Sequence, residues 1–234
     1  ENIPIESLRF IAQHVPVHPG ENALSVAQDR GDEKAFLQSI DIPVSPYRIV
    51  ENVKDLEQGL LELGRPAVLK TARLGYDGKG QVFIDEKVDP AEAFAEMGAA
   101  RGVLEKWVDF KLEISVIAAR SADGSSDCYV PVENQHRDHI LSRTIAPARI
   151  SAACGDHAET IAWRIANALE IVGLLAVEMF VTPDDEIIVN EIAPRPHNSG
   201  HWTMDACATS QFEQFARAVL GLPLGPTARH SDAI

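Results

Sequence analysis

Two glutamates in the last third of the chain have the residue type and spacing of a metal site. Glu178 lies in the apolar run LLAVEMFV and Glu191 in the run EIIVNEIAP, with the turn residues PDD between the two runs. Two such runs joined by a short turn predict a β-hairpin. If the loop is centred between Asp184 and Asp185, the opposed pairs are Val181 with Ile188, Phe180 with Val189, and Glu178 with Glu191.

This register places two like charges opposite each other, which is destabilising unless a cation compensates them. A divalent metal is the natural compensation, because it prefers carboxylate oxygens and takes substrate phosphates as further ligands. Asn190, next to Glu191, adds an amide oxygen. The alternative is that both glutamates lie on a solvated face, and a register shift of one residue would separate them. The spacing therefore predicts a metal site formed by Glu178 and Glu191.

A glycine-rich turn offers a second functional feature. In KTARLGYDGKGQ, Lys70 ends a predicted strand. The turn that follows contains Gly75, Gly78 and Gly80. Glycines let backbone N–H groups approach an anion closely. The segment matches neither GxxxxGK[ST] nor GxGxxG, which argues against a P-loop NTPase and a Rossmann dehydrogenase. A purely structural hairpin is the alternative, but Lys70 and the opposite charges of Asp77 and Lys79 favour a polar substrate.

The segment NEIAPRPHNSGHWT, from Asn190 to Thr203, concentrates polar side chains in a loop interrupted by proline and glycine. His197 and His201 have the i, i+4 spacing of a zinc pair. The segment lacks the glutamate of HExxH and contains Gly200 between the histidines, so a zinc hydrolase is not favoured. We expect His201 and Trp202 to shape the loop by packing.

The composition is that of a globular protein, with 45% apolar residues in 234. The 21 Lys and Arg against 35 Asp and Glu give a formal charge of −14, which argues against nucleic acids and anionic membranes as partners. The sequence shows no apolar run of about 18 residues and no signal-peptide pattern, so a cytoplasmic protein is expected. Three distant cysteines without a CxxC pair indicate neither a disulfide framework nor a zinc ribbon.

The elements that must position these residues are strands and helices that intermix, with several hairpins, which predicts an α+β fold. The segment from Ser25 to Ile42 has the spacing of one surface helix that Pro43 ends. Asp156 and Glu159 predict a capping box at the start of the longest helix. The glycine turn belongs to one predicted hairpin and the two glutamates belong to another.

Four motifs together resemble a known family: GYDGKGQ, EKWV followed by Glu113, VENQH, and NEIAPRPHNSGHWT. They are similar to those of the 5-(carboxyamino)imidazole ribonucleotide synthetases, also called ATPase subunits of phosphoribosylaminoimidazole carboxylase, in the ATP-grasp superfamily. The resemblance runs from near Glu1 to about Leu222. Other ATP-grasp enzymes share the metal-binding Asn-Glu pair but not PRPHNSGHWT, so the last motif is the specific one.

The resemblance implies an ATP-grasp fold, in which two α+β lobes grip ATP. Family members extend further at both ends, so a truncated Rossmann-like pre-ATP-grasp domain and a truncated C-terminal domain are expected. The implied divisions are 1–28 for the N-terminal remnant, 29–108 for the small lobe with the glycine-rich loop, 109–222 for the large lobe with the metal and anion site, and 223–234 for the start of the C-terminal domain.

The resemblance also implies a role for each matching residue. Arg30 and Lys70 would contact ATP phosphates, covered by the loop of Gly75, Tyr76, Asp77, Gly78, Lys79, Gly80 and Gln81. The adenine and ribose would be held by the hinge residues Glu105, Lys106, Trp107 and Val108, and by Glu113 and His136. Glu178 and Glu191 would hold the metal, with Asn190 beside them. Bicarbonate and carboxyphosphate would bind Arg195, His197 and Asn198, and the aminoimidazole would face Asp77 and Lys79.

The implied activity is that of an ATP-dependent ligase forming a C–N bond in de novo purine biosynthesis. It would carboxylate 5-aminoimidazole ribonucleotide with bicarbonate through carboxyphosphate, using Mg²⁺ or alternatively Mn²⁺. The implied partners are these small-molecule substrates, a second copy in a homodimer, and a mutase that takes the product. Two alternatives remain. One is another ATP-grasp ligase, such as formate-dependent glycinamide ribonucleotide transformylase, and the other is a fragment that binds Mg-ATP without turnover.

Overall fold

The computed structural model describes residues 3–75, 79–137 and 139–234. The helices are α1 Ile5–Ala12, α2 Glu21–Ala27, α3 Arg30–Ser39, α4 Val53–Leu63, α5 Pro90–Met97, α6 Ala152–Ala168, α7 Thr203–Ala206 and α8 Gln211–Val219. The strands are β1 Tyr47–Val50, β2 Ala67–Thr71, β3 Gln81–Ile84, β4 Gly102–Lys106, β5 Leu112–Arg120, β6 Ser126–Cys128, β7 Val132–Arg137, β8 Ile140–Ile145, β9 Gly173–Val181 and β10 Ile187–Ala193. Helices intermix with two antiparallel sheets, which confirms the α+β prediction.

The smaller sheet has four strands in the order β1-β4-β2-β3. Side chains of β2 alternate between its two faces: Ala67 and Leu69 are buried in the core formed with α4 and α5, and Lys70 points to the other face. Glu105 in β4 shares that second face, because Val68 and Glu105 are paired across the strands. The sheet therefore presents a lysine and a glutamate on the face away from its helices.

The larger sheet has the order β10-β9-β5-β7-β8, with β6 paired to β5. One face shares a core with α6, including Ile161 and Val177. On the opposite face, Leu174 and Ala176 pack with the α8 side, including Phe215. Because side chains alternate along β9, Glu178 and Phe180 continue this second face. We call the space between this face and the Lys70 face of the smaller sheet the cleft.

The segment predicted as one helix from Ser25 to Ile42 forms two helices, α2 and α3, because the chain is extended at Asp29. The carboxylate of Asp29 caps α3 by accepting hydrogen bonds from the backbone N–H groups of Gly31 and Asp32. Asp29 also pairs with Arg101. This break makes Arg30 the first residue of α3.

The helix α3 packs on the larger sheet, since Leu37 is fully buried in the same core as Ile114 and Val189. The predicted small lobe, 29–108, thus includes a helix whose apolar side chains belong to the other sheet. Residues 223–234 contain no helix or strand of their own. They pack back on the large lobe through β-bridges of Arg229 with Cys207 and of Ala233 with Ala146.

The helix α6 begins one turn before the predicted cap, because Ser151 Oγ accepts a hydrogen bond from the backbone N–H of Cys154. Asp156 lies inside the helix, where its C=O accepts from Thr160. All three cysteines are free thiols. Among the residues that the structure describes, no helix has the length and apolar character needed to cross a membrane.

Candidate nucleotide and metal site

The hairpin of β9 and β10 places Glu178 directly opposite Glu191, as the register argument predicts. Closer to the turn the prediction is wrong by one residue. The observed pairs there are Val181 with Ile187, Phe180 with Ile188, and Met179 with Val189. A β-bulge between Val189 and Glu191 restores the predicted register, so the error at the turn is cancelled before the glutamates are reached.

The bulge also determines where Asn190 points. In a regular strand Asn190 and Glu191 would face opposite sides of the sheet, but at a bulge two consecutive residues oppose one partner residue. Asn190 Oδ1 accepts a hydrogen bond from Lys70 Nζ at 3.0 Å, and Glu191 Oε2 accepts one from Arg30 Nη1 at 2.6 Å. Both side chains therefore reach the cleft.

The opposed glutamates each have a partner within the protein. Arg30 pairs with Glu191, and His197 Nε2 lies 3.1 Å from Glu178 Oε1. Burial alone would raise the pKa of Glu191, but the charge of Arg30 holds that pKa well below its usual value. The repulsion between the two glutamates is therefore reduced within the protein by the charge of Arg30 on Glu191 and by the contact of Glu178 with His197.

Lys70 extends from the smaller sheet toward the larger one. Its Nζ lies 3.2 Å from Glu105 Oε1, besides its hydrogen bond to Asn190. Burial lowers the pKa of Lys70, and the negative charge of Glu105 opposes this effect. Glu105, predicted beside the adenine, also has Lys34 Nζ 3.0 Å from its second oxygen. The structure thus surrounds one carboxylate with two lysines.

Three charged residues on one face of α3 lie beneath the cleft: Arg30, Glu33 and Lys34. Glu33 is 3% exposed and Lys34 is 1% exposed. Neither Glu33 nor Lys34 was predicted from the sequence as a site residue. Their spacing could have indicated burial. Glu33 and Lys34 stand at i+3 and i+4 from Arg30, and Leu37 stands at i+7. This spacing marks the face of a helix that normally carries apolar side chains into a core.

A chain of hydrogen bonds orients His197. Thr144 Oγ1 donates to Asn134 Oδ1, Asn134 Nδ2 donates to Ser115 Oγ, and Ser115 Oγ donates to Ser199 Oγ. Ser199 Oγ then lies 2.8 Å from His197 Nδ1, and the Ser199 N–H also points at this nitrogen. Because Nδ1 accepts these bonds, Nε2 carries the proton that is donated to Glu178. Ser115, Asn134 and Ser199 are not among the site residues predicted from the sequence.

Gln211 at the start of α8 fixes the main chain of His197. Its Oε1 accepts from the His197 N–H at 2.9 Å, and its Nε2 donates to the His197 C=O at 2.6 Å. Gly200 packs against this amide: a Cβ at Gly200 would lie 2.7 Å from Gln211 Oε1 and 2.2 Å from Ile117 Cδ1. The glycine in the loop is therefore required by close packing.

Glu113 and His136, predicted to bind the nucleoside, contact each other. His136 Nδ1 lies 2.9 Å from Glu113 Oε2, across the neighbouring strands β5 and β7. This hydrogen bond raises the pKa of His136 above its usual value. Glu113 is paired with Phe180 in the sheet, so it lies on the cleft face.

The glycine turn joins β2 to β3, and the Thr71 N–H donates to the Gly80 C=O at 2.7 Å. Gly80 has φ 74°, a left-handed conformation that glycine adopts without strain. Gly75 and Gln81 are half-buried, and Lys79 is exposed. The predicted site residues Tyr76, Asp77 and Gly78 lie outside the described residues.

Main-chain hydrogen bonds hold the hinge between the lobes at Lys106 and Trp107. The Lys106 N–H donates to the Pro46 C=O at 2.9 Å, and the Trp107 N–H donates to the Pro66 C=O at 3.1 Å. The side chains of Lys106 and Trp107 are exposed, and Val108 is half-buried. Their predicted contacts with adenine stay predictions.

Aromatic rings connect the two lobes across this hinge. They are Phe83 of β3, Trp107, Phe110, and Phe180 of β9, with successive centroids 5.1, 6.1 and 4.6 Å apart. Phe83 is 48% exposed and lies on the face of β3 away from α4 and α5. Rings at the edge of a cleft suit a flat heterocycle. Of these four rings, Trp107 is the one predicted from the sequence as a site residue.

Arg195 and Asn198 lie at the exposed side of the polar loop. Arg195 Nη1 donates to the Pro196 C=O at 3.2 Å, and Asn198 Oδ1 accepts from the Ser199 N–H at 2.9 Å. The structure thus brings His197 to the glutamates, whereas Arg195 and Asn198 are exposed on the same loop.

The donor set of the hairpin fits a magnesium ion that has few protein ligands. No group of three or more His, Cys, Asp or Glu able to hold a metal occurs among the described residues. Mg²⁺ commonly binds through one or two carboxylates and keeps water and phosphate oxygens as its other ligands. Glu178 and Glu191, with Asn190 beside them, match that requirement.

Comparison with known proteins shows relatives along the whole chain. The profile of the ATP-grasp domain matches residues 35–212. The chain is 47% identical over 227 residues to N5-carboxyaminoimidazole ribonucleotide synthase of Bacillus subtilis, covering 97% of this chain and 60% of that protein. It therefore spans about 60% of the length of this relative.

Two crystal structures have the same fold. An ADP complex of an N5-carboxyaminoimidazole ribonucleotide synthetase superposes with a TM-score of 0.95 at 45% identity, covering 99% of this chain and 61% of that one. The Aspergillus clavatus enzyme with ADP and 5-aminoimidazole ribonucleotide gives 0.92 at 30% identity, covering 99% of this chain and 61% of that one.

Proposed function

This chain belongs to the ATP-grasp family, and from that premise we propose that it is the catalytic core of an N5-carboxyaminoimidazole ribonucleotide synthase. Bicarbonate attacks the γ-phosphorus of ATP, which gives carboxyphosphate and ADP. The amine of 5-aminoimidazole ribonucleotide then attacks the carboxyl carbon, a proton leaves the nitrogen, and phosphate is released. The product is N5-carboxyaminoimidazole ribonucleotide.

One observation carries the proposal: groups from distant parts of the chain meet in the cleft. Arg30 reaches Glu191, and Lys70 reaches Asn190, so the two lobes contribute cations and oxygen ligands to one place. Attack on ATP develops negative charge on the transferred phosphoryl group, and prepositioned cations stabilise that charge. We assign the stabilisation of this charge to Arg30 and Lys70.

Glu178 and Glu191 hold the magnesium ion in this proposal. The ion would neutralise phosphate charge when it is bound. In the free protein, the Nε2–H of His197 points at Glu178. This contact fixes the orientation of the carboxylate. The bulge at Asn190 gives the site an amide oxygen next to Glu191.

The polar loop has the donors to bind bicarbonate and to protect carboxyphosphate. An unstable acyl phosphate must be kept from water until the amine attacks. Arg195 offers the planar fork that matches two carboxylate oxygens. His197 is already fixed through Ser199 and Gln211. The aromatic rings of the hinge would receive the adenine, with Glu113 and His136 near the ribose.

The test is ADP release from Mg-ATP with and without bicarbonate and 5-aminoimidazole ribonucleotide. We expect release that requires both substrates and falls at least about a hundredfold in Glu191→Gln, because the metal and Arg30 lose their shared carboxylate. Glu186→Gln, an exposed glutamate in the same hairpin, is the matched control and should retain activity. Release that ignores bicarbonate, or that requires formate and glycinamide ribonucleotide, would contradict the proposal. Nucleotide binding without release would identify a nucleotide-binding core.

The proposal has further parts that rest on the sequence resemblance. They are Mg²⁺ as the metal, a cytoplasmic location, a homodimer, and transfer of the product to a mutase. Asp77 and Lys79 of the glycine turn are assigned to the aminoimidazole on the same basis. The carbamate product is chemically labile, which favours an acceptor enzyme nearby.

A further inference from the structure

Glu105 is a buried carboxylate with one lysine on each oxygen. Lys34 Nζ lies 3.0 Å from Oε2, and Lys70 Nζ lies 3.2 Å from Oε1. The exposed fractions of the side chains are 5% for Glu105, 1% for Lys34 and 11% for Lys70. Burial would raise the pKa of Glu105, but the two lysines together hold it below its usual value.

The two lysines differ in what else they contact. Lys70 also donates to Asn190 across the cleft, so it lies where a phosphate can reach it. Lys34 comes from α3 beneath the cleft and has Glu105 as its ion-pair partner. Lys70 is therefore placed to exchange Glu105 for a phosphate, whereas Lys34 is placed to remain paired with Glu105.

A change of partner by Lys70 has an electrostatic consequence. A buried charge that loses its only counter-ion is strongly destabilised. If Lys70 were the sole partner of Glu105, then binding a phosphate through Lys70 would leave this carboxylate uncompensated. The second lysine removes that penalty, because Glu105 keeps one cation in either state.

We propose that Lys34 is a positioning residue that keeps Glu105 compensated while Lys70 transfers from Glu105 to a nucleotide phosphate. Lys34 does not touch the nucleotide. It acts through Glu105, and its contribution is to the affinity for phosphorylated ligands alone. This inference rests on the proposed function, since it requires the cleft to bind Mg-ADP or Mg-ATP.

The first test compares Lys34→Met with the unmodified chain for two ligands, Mg-ADP and adenosine. We expect the affinity for Mg-ADP to fall about tenfold or more, because binding now isolates Glu105. Adenosine has no phosphate, so Lys70 can remain on Glu105 and the affinity should stay within about twofold. Lys54→Met, an exposed lysine on α4, is the matched control and should change neither affinity.

The second test repeats Lys34→Met on the Glu105→Gln background. A neutral amide needs no counter-ion, so Lys34→Met should now leave the Mg-ADP affinity unchanged. An equal loss on both backgrounds, or an equal loss for adenosine and Mg-ADP, would overturn the inference in favour of general damage to the fold.

The third test needs no substitution and covers the case in which Lys34→Met does not fold. In ¹⁵N NMR of the lysine side chains, Mg-ADP should shift the Nζ signal of Lys70 and leave that of Lys34 in place. A shift of Lys34 with Lys70 unmoved would overturn the inference. If the unmodified chain binds no Mg-ADP, the proposed function and the inference both fail, whereas binding that is unaffected by Lys34→Met refutes the inference alone.

Discussion

Glu33 shows how strongly one buried carboxyl group can respond to its surroundings. It lies under Glu191, and its Oε2 accepts a hydrogen bond from the Ile192 N–H at 3.3 Å. Burial, followed by repulsion from Glu191, raises the pKa of Glu33 to about 8. The group is therefore held neutral beside a carboxylate that Arg30 keeps ionised.

This pKa predicts a pH-dependent stability. Between the ordinary value of about 4.5 and about 8, the folded chain retains a proton that the unfolded chain releases. The free energy of unfolding should therefore fall as pH rises through this window, and then level off. Each unit of pKa difference corresponds to about 1.4 kcal/mol.

Glu33→Gln removes this titration and keeps an acceptor for Ile192. We expect the variant to gain stability relative to the unmodified chain as pH rises from about 5 to about 8, measured by urea unfolding. Glu57→Gln, an exposed glutamate on α4, should show no such trend. A stability difference for Glu33→Gln that is constant across the pH range would refute the prediction.

At the residue scale, sequence patterns located the two carboxylates of the hairpin but not Glu33 and Lys34 beneath them. Glu178 and Glu191 interrupt apolar strands, so their charge is conspicuous. Glu33 and Lys34 lie on a helix that carries many charges, and such residues usually face solvent. Their partners in the interior are distant in sequence and meet them only through the fold: Glu105 pairs with Lys34, and the Ile192 N–H donates to Glu33.

The hairpin of β9 and β10 illustrates what can be predicted at the scale of elements. Alternation and turn residues identified the hairpin, and the opposition of the two glutamates is confirmed. The register next to the turn was predicted wrongly by one residue, and the bulge at Asn190 was not foreseen, because no glycine or proline marks the extra residue. The break between α2 and α3 was also not predicted. The residues have a continuous helical pattern, but the hydrogen bonds by which Asp29 caps α3 start a new helix there.

The helix α8 carries two glutamines that perform the same structural task at different places. Gln211 brackets the main chain of His197, and Gln214 brackets that of Gly225 with two hydrogen bonds of 2.8 Å. Both side chains are fully buried. They therefore form a matched pair for separating the stability of the fold from the geometry of the polar loop.

We expect Gln211→Leu and Gln214→Leu to lower the free energy of unfolding by similar amounts, about 2–4 kcal/mol, because each leaves a buried N–H and C=O unpaired. Denaturant titration measures this cost. Gln211→Leu alone should change the NMR signals of the His197 ring, whose Nε2 proton points at Glu178. Equal changes at His197 in both variants would show that Gln211 has no specific role in placing the loop.

At the scale of the whole molecule, the two lobes meet through polar contacts such as those of Lys70 with Asn190, Lys34 with Glu105 and Asp29 with Arg101, and through the aromatic rings of the hinge. The bonds of Arg30 to Glu191 and of Lys70 to Asn190 join segments far apart in sequence. A ligand that binds both sides of the cleft should therefore stabilise the folded chain by mass action.

Mg-ADP at about a hundred times its dissociation constant should add about 2.7 kcal/mol of stability. For a chain of this length, we expect the melting temperature to rise by roughly 5–10 °C. Lys70→Met should remove most of this rise, and Lys54→Met should retain it. The measurement is thermal unfolding with and without ligand. A rise that persists in Lys70→Met would place the phosphates elsewhere.

Trp107, among the aromatic rings of the hinge, also gives the protein an intrinsic fluorescent probe. Trp107 is 41% exposed and lies between Phe83 of one lobe and Phe110, which stacks on Phe180 of the other. The emission of an indole depends on the polarity and packing around it, so a ligand that displaces water from this ring should change the light that the residue emits. With Trp163 and Trp202 replaced by phenylalanine, stopped-flow fluorescence would follow nucleotide binding in real time, without any attached dye.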